Sequence, residues 1–276
     1  MAPTHTCLPK MANPIYFQPN TLLQCISLVP QLEILTILFT FPVPNHDVET
    51  HAPITTHITL PNLRFFWFQG ASTYLEAVIY RITTTRLENL QISFFKQLTF
   101  SVPRLVQFMN KAENLRFDNA LIIFQDKQIH LLMYCREAGT FSFGVTVDCW
   151  QLDWQVSSVE QISNALSQVF SAVDHLILRH DVHGQSSDER NDVDRIEWRK
   201  LLRSFSNVKT LHFDNGLVEE LSHCLRLEDG ELPLEPLPEL QQLAYSGSNN
   251  TGNVFTSFID AHQSAGRPVA LRPFYG

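Results

Sequence analysis

Four residues within nine positions, His175, His180, Asp181 and His183, have the types that bind zinc, because neutral imidazoles and a carboxylate are its ordinary protein ligands. Their spacing argues otherwise. His175 falls in an apolar-alternating stretch with Leu176 and Leu178, which reads as a strand, while His180 and His183 fall in the loop after it. The acidic run Ser187 to Asp194 has calcium-binding residue types but lacks both the alternating Asp/Asn order with its glycine and the closing glutamate of a calcium loop, so it reads as a solvated loop. No nucleophile elbow, phosphate-cradling glycine loop, paired-histidine zinc helix or dinucleotide fingerprint is present. With 10 glycines in 276 residues, nucleotide cradles are disfavoured, so no catalytic residue, metal or cofactor is expected.

The elements that must position any site follow from a recurring phrase, apolar-x-x-apolar-x-apolar. It reads Leu32/Leu35/Ile37, Leu63/Phe66/Phe68, Leu87/Leu90/Ile92, Ala112/Leu115/Phe117, a weaker Ala138/Phe141/Phe143, Val173/Leu176/Leu178, Val208/Leu211/Phe213 and Leu240/Leu243/Tyr245. The last two anchors of each phrase are two apart, the period of a strand, and most phrases lead into segments with apolar residues three and four apart, the period of a helix. Expected helices are Ala71 to Arg81, Val102 to Met109, Ser158 to Val173 with a cap at Ser157 or Ser158, Ile196 to Phe205, Leu217 to Leu225, and Asn253 to His262 ended by Gly266. One strand and one helix cannot bury their own apolar faces, so such units stack.

The expected architecture is therefore α/β: a leucine-rich-repeat-like solenoid with a parallel sheet of about eight strands, helices on the convex side and an inserted hairpin. The hairpin is expected at Leu121–Phe124 and Ile129–Tyr134 around Gln125-Asp126-Lys127-Gln128, followed by a long strand over Thr140 to Val147. Residues 1–20, with Pro3, Pro9, Pro14 and Pro19, read as an extended leader, and residues 21–276 as the repeat domain.

Such a sheet turns the residues between its anchors to the concave side. These are Phe65, Trp67 and Gln69; Asn89 and Gln91; Asn114, Arg116 and Asp118; His175 and Arg179; His212 and Asp214. Aromatics, arginine and amides resemble the composition of protein-binding patches, so these are the candidate partner-binding residues. The alternative is that Phe65 and Trp67 are buried on both sides by the N-terminal segment.

Composition narrows the partner. A net charge of −8 and a pI near 5.7 oppose non-specific attraction to nucleic acid or an anionic membrane. Thr21 to Val43 is interrupted by Gln24, Pro30, Gln31, Glu33 and Pro42, so it is not expected to span a membrane. Five scattered cysteines without a C-x-x-C pair read as thiols of an intracellular protein, cytoplasmic or nuclear, and Asn249-Asn250-Thr251 as a chance glycosylation match.

Leu60-Pro-Asn-Leu-Arg-Phe-Phe-Trp-Phe-Gln-Gly70, Tyr74-Leu-Glu-Ala77, Arg86-Leu-Glu-Asn-Leu90, Leu98-Thr-Phe-Ser-Val-Pro-Arg104 and Trp198-Arg-Lys-Leu-Leu-Arg-Ser-Phe205 resemble the repeat region of fungal F-box/leucine-rich-repeat proteins. The resemblance covers nearly all of Thr21 to Val269. It implies recognition of protein substrates for a ubiquitin ligase, with an F-box gripping a Skp-type adaptor. Two departures are visible. The F-box has no counterpart, since Leu8-Pro9 runs into Lys10-Met11-Ala12-Asn13-Pro14, and adaptor binding is not expected. A truncated gene model or a paralogue without the motif would both read this way. The repeat's usual asparagine is replaced by Thr40, Ala71, Phe95, Ala120, Asp181, Gly216 and Ser248. A protein-binding module without enzymatic activity is the leading expectation; a cryptic metal-dependent enzyme and a decayed paralogue are the alternatives.

Overall fold

The computed structural model describes residues 5–7, 17–40, 56–95, 100–137, 139–181, 195–226, 236–246 and 254–273. The chain is mixed α/β with mostly parallel strands, and it divides into two compact units. The first comprises residues 1–116 and 140–148, the second 117–139 and 149–276.

In the first unit the described elements are β1 (His5–Cys7), α1 (Pro19–Ser27), β2 (Ile34–Leu38), β3 (Ile58–Thr59), β4 (Phe65–Gly70), α2 (Ser72–Ile79), β5 (Ile82–Thr83), β6 (Asn89–Phe94) and α3 (Pro103–Lys111). The second unit takes β7 (Asn119–Gln125) and β8 (Gln128–Tyr134), and the chain then returns to the first with β9 (Phe141–Asp148). The second unit continues with α4 (Leu152–Ala165), α5 (Ser167–Phe170), β10 (His175–Asp181), α6 (Arg195–Arg203), β11 (Thr210–Asp214), α7 (Val218–Leu225), β12 (Gln242–Ser246), α8 (Thr256–Ser264) and β13 (Ala270–Pro273).

The first unit's sheet runs β1-β2-β4-β6-β9, all parallel, with β3 and β5 forming a separate short parallel pair. Its register aligns the anchors: Leu35, Phe66, Leu90 and Phe143 form one row, and Ile37, Phe68, Ile92 and Val145 the next. All eight are buried. The helices lie on this side, because Phe66 meets Phe108 of α3 edge-on at 6.5 Å and Phe68 stacks on Tyr74 of α2 at 6.3 Å. Helix α2 is buried on nearly all sides, as an element packed between α1 and α3 must be.

The second unit's sheet runs β8-β7-β10-β11-β12-β13, parallel throughout its assigned pairs except the β7–β8 hairpin. Ala120, Leu176, Leu211 and Leu243 align, as do Ile122, Leu178, Phe213 and Tyr245. Phe124 packs on Trp198 of α6 and Phe213 on Phe255 before α8, each at 5.3 Å, so this sheet too is covered on its anchor side.

A single hydrogen-bonded junction recurs at the strand entries. The Glu33 carbonyl accepts from the N–H groups of Arg64 and Phe65, and the Arg64 carbonyl from those of Glu88 and Asn89. In the second unit the Asp118 carbonyl accepts from Asp174 and His175, that of Asp174 from Lys209 and Thr210, and that of Lys209 from Gln241 and Gln242. One carbonyl with two lone pairs thus satisfies two donors of the next unit, which fixes the register of each neighbour.

Strands carry seven of the eight expected phrases; the fourth phrase, Ala112/Leu115/Phe117, lies on no strand, and in β9 the phrase is displaced. Register places the anchors of β7 at Phe117, Ala120 and Ile122, five residues beyond Ala112/Leu115/Phe117, which lie between α3 and β7. In β9 the anchors are Phe143 and Val145, two beyond those expected, leaving Phe141 43% exposed. The hairpin turns at Asp126-Lys127 as expected; its first strand, β7, also pairs in parallel with β10, and no helix occurs among the described residues between β7, β8 and β9. Helix α4 begins at Leu152, six residues before the expected start, so Ser157 and Ser158 lie inside it rather than capping it. Gly266 follows α8 with φ of +77°, the left-handed conformation expected of the residue that ends a helix. His5–Cys7, within the segment read as an extended leader, pairs in parallel with β2, and Pro19 opens α1 at a position that needs no N–H donor. No helix among the described residues is long and apolar enough to cross a membrane.

Candidate functional site

Strand geometry gives each sheet a second face, the one opposite the anchors, and most of its described side chains are half-buried to exposed, with Asn119 and Ala244 buried. In the first unit this open face carries Phe65, Trp67 and Gln69 of β4 beside Ile34, Thr36 and Leu38 of β2, in register, and beside Asn89, Gln91 and Ser93 of β6. Phe65 is 39% exposed and Trp67 50%, against 1% and 0% for their neighbours Phe66 and Phe68. Burial of Phe65 and Trp67 from both sides is therefore not what the described residues show. Leu38, 44% exposed, and half-buried Ile34 extend the patch; they are not among the candidates named from the sequence, although the same alternation turns them outward.

The rim of this face is tied down. Arg64 donates through Nε and Nη2 to the two carboxylate oxygens of Glu88, at 2.9 and 2.7 Å, and its guanidinium lies 5.6 Å from the Phe65 ring centre. Asn89 donates from its amide to the Phe141 carbonyl at 2.5 Å. Asn114 and Arg116 sit in the connection before β7, off any strand, and the Asn114 amide donates to the Thr85 carbonyl at 3.2 Å. They shape the entry edge of the unit rather than a strand face.

In the second unit Asp118 accepts from the Arg136 N–H at 2.9 Å and from the Asn119 amide. The open face there carries a row in strict register, Leu132, Leu121, Ile177, His212, Ala244 and Arg272. His212 is half-buried, and loss of hydration lowers its pKa below the ordinary imidazole value, with the Asp214 charge opposing the shift. Arg179 pairs with Asp181 at 3.1 Å, and His175 with Asp174 at 2.6 Å. Asp214 serves the backbone: its carboxylate accepts from the His180 N–H at 2.5 Å and the Gly216 N–H at 3.1 Å, joining the end of β10 to the turn after β11.

The histidines do not converge. His175 and His180 are five residues apart on one strand, about 16 Å, with opposite facing. Asp181 shares the His175 face, and His183 and the acidic run 187–194 lie outside the described residues. Among the described residues no group of three His, Cys, Asp or Glu side chains is placed to hold a metal ion.

Buried polar groups elsewhere close helix ends. Glu76 of α2, 8% exposed, accepts from the N–H groups of Arg104 and Leu105, both at 2.9 Å, supplying the cap that Val102 cannot give α3. Burial raises the Glu76 pKa above the usual carboxylate value, while these N–H groups and the Arg104 charge pull it down. Arg199 of α6 donates to the carbonyls of Cys224 and Arg226, at 2.8 and 2.9 Å, at the C-terminus of α7. Gln155 of α4 donates from its buried amide to the carbonyls of Gln125 and Cys149, at 2.5 and 2.9 Å, satisfying the ends of the β7–β8 turn and of the segment before α4. The Cys224 thiol, pushed up to about 12 by burial, is not a nucleophile at neutral pH.

Comparison with protein-family models, with curated proteins and with solved structures gave no match.

Proposed function

We propose that this chain is a protein-binding module of leucine-rich-repeat type, similar to the substrate-recognition part of F-box proteins of ubiquitin ligases, intracellular and without catalytic activity of its own. The observation that carries the reading is the contrast across β4: Phe66 and Phe68 are sealed against the helices, while Phe65 and Trp67 stand 39% and 50% exposed on the other face. Large aromatics held rigidly on paired strands are what binding hot spots are made of. The repeated carbonyl junction and the anchor rows give each strand an equivalent place, as repeat scaffolds require. No F-box-like segment occurs in the sequence, so recognition is proposed without the Skp-type adaptor.

The test is parallel affinity capture with the wild-type chain and with a Phe65→Ser/Trp67→Ser double variant. Specific proteins retained by the first, lost by the second, and free of a Skp-type adaptor are the expected result. Identical captured sets would sink the assignment of the face. An empty capture with both would favour a structurally intact remnant.

A further inference from the structure

We infer that the open face of the first unit is built to take a single uncharged amphipathic helix of a partner protein, an inference that rests on the protein-binding reading above. Three observations choose the occupant. The first is charge. None of the outward positions of β2, β4 and β6 is charged, and the first unit holds 8 basic against 7 acidic residues, while the second holds 12 against 21. A charged group set over β2, β4 and β6 would have to give up hydration with no counter-charge among these positions; Arg64, beside the Phe65 ring, is already paired with Glu88, and Asp148 stands at the C-terminal end of β9.

The second is area. Four strands, β2, β4, β6 and β9, at about 4.8 Å each, and about five residues of strand length give a face of about 300 Å². A stable globular interface needs about 800 Å² per partner, so neither a second copy nor a folded domain is matched to this face alone. A helix is. Crossing about 19 Å takes about 13 residues at 1.5 Å each.

The third is the backbone. Strand β2 pairs with β1 and β4, β4 with β2 and β6, and β6 with β4 and β9. An occupant finds side chains on this face and no free ladder donors or acceptors. An extended segment would bury its own N–H and C=O groups unpaired against Trp67 and Phe65, whereas a helix arrives with its backbone already satisfied. Apolar Ile34, Leu38, Phe65 and Trp67 would take the helix stripe, and the amides of Gln69 and Gln91 the uncharged polar groups at its margin.

The probe is a fluorescein-labelled 14-residue peptide with a Leu/Ala stripe and a Gln/Ser reverse face, titrated against the full chain by anisotropy, beside versions with Lys or Glu in the stripe. Expected are saturable binding of the neutral peptide that is unchanged between low and high salt, at least tenfold weaker binding to the Phe65→Ser/Trp67→Ser variant, and less than a twofold change for Gln107→Ala, an exposed position of α3 on the helix side. Both variants are first shown to melt as the wild type does. Preference for a charged peptide, equal binding to the double variant, or a concentration-dependent dimer of the free chain abolished by that variant would overturn the helix as occupant. If the peptide fails while the capture experiment still loses its targets in the double variant, the docking reading stands and this inference falls. If both fail, both fall.

Discussion

At the scale of the residue, neighbouring positions on one strand have opposite tasks, and substitutions should separate them. Leu211 is 0% exposed in the anchor row, so Leu211→Asp both removes apolar burial and buries an unpaired carboxylate, at a cost of about 4 kcal/mol or more. Trp67→Ser on the open face should cost about 1 kcal/mol or less, because half the side chain is already in water. Urea denaturation of both variants checks this, and equal losses would deny the two-faced sheet. Glu76 gives a pH signature. Its folded pKa is raised, so the folded state holds that proton more readily than the unfolded chain does, and the resulting stability is fully present at pH below the unfolded value. It is lost as pH rises through the raised folded value. The stability of wild type relative to Glu76→Gln should therefore fall as pH climbs from 4 through the weakly acidic range and then level off; a constant difference would show that the carboxyl is not perturbed. Gly70 is confined by packing: a Cβ there would lie 2.8 Å from ring atoms of both Phe39 and Phe68. Gly70→Ala should cost roughly 1–3 kcal/mol, read as a lowered urea midpoint.

At the scale of the element, the strands were more legible than the helices, for a physical reason. An anchor row needs two buried residues at a spacing of two, and that signal survives in β2, β4, β6, β10, β11 and β12 without alteration. It slipped in β7 and β9, where runs such as Ala120-Leu-Ile-Ile-Phe124 and Phe141-Ser-Phe-Gly-Val145 offer several equally apolar frames and only pairing chooses among them. The helix starts were obscured because α1 to α5, α7 and α8 have no side-chain cap from their own N-cap residue; α3 takes its cap from Glu76 on the preceding helix, and the C-terminus of α7 takes Arg199 from α6. A signal carried by a residue about 28 positions away, as between Glu76 and Arg104, leaves no local pattern. The borrowed cap predicts a local effect. Arg199→Met should remove two charge-assisted hydrogen bonds and about 2–3 kcal/mol, with faster amide exchange in α7 than in β11. Arg199→Lys should not restore protection, since one ammonium cannot span two carbonyls as the guanidinium fork does. Uniform exchange across both elements would assign Arg199 to packing alone.

At the scale of the whole molecule, charge and candidate site are distributed differently, and this decides how solution conditions act. The acidic excess belongs to the second unit, whose open face also holds His212, Arg179 and Asp181, whereas the first unit is nearly balanced around its aromatic patch. The candidate face was legible at Phe65, Trp67, Asn89 and Gln91 because alternation alone turns them outward; Asn114, Arg116 and Asp118 were assigned to it only through the slipped frame of β7. Self-repulsion within an acidic body lowers the stability of its compact state, and added salt screens it over about 10 Å at 0.1 M. Raising sodium chloride from 20 to 300 mM at pH 7.5 should therefore raise the melting temperature, and the gain should shrink toward pH 5.7, where the net charge vanishes. The same salt series should leave a partner bound at Trp67 unaffected and weaken one bound through the ion pairs of the second unit. A melting temperature insensitive to salt at both pH values would mean that the acidic groups are already compensated within the fold, and the electrostatic contrast between the two units would then carry no weight in choosing a partner.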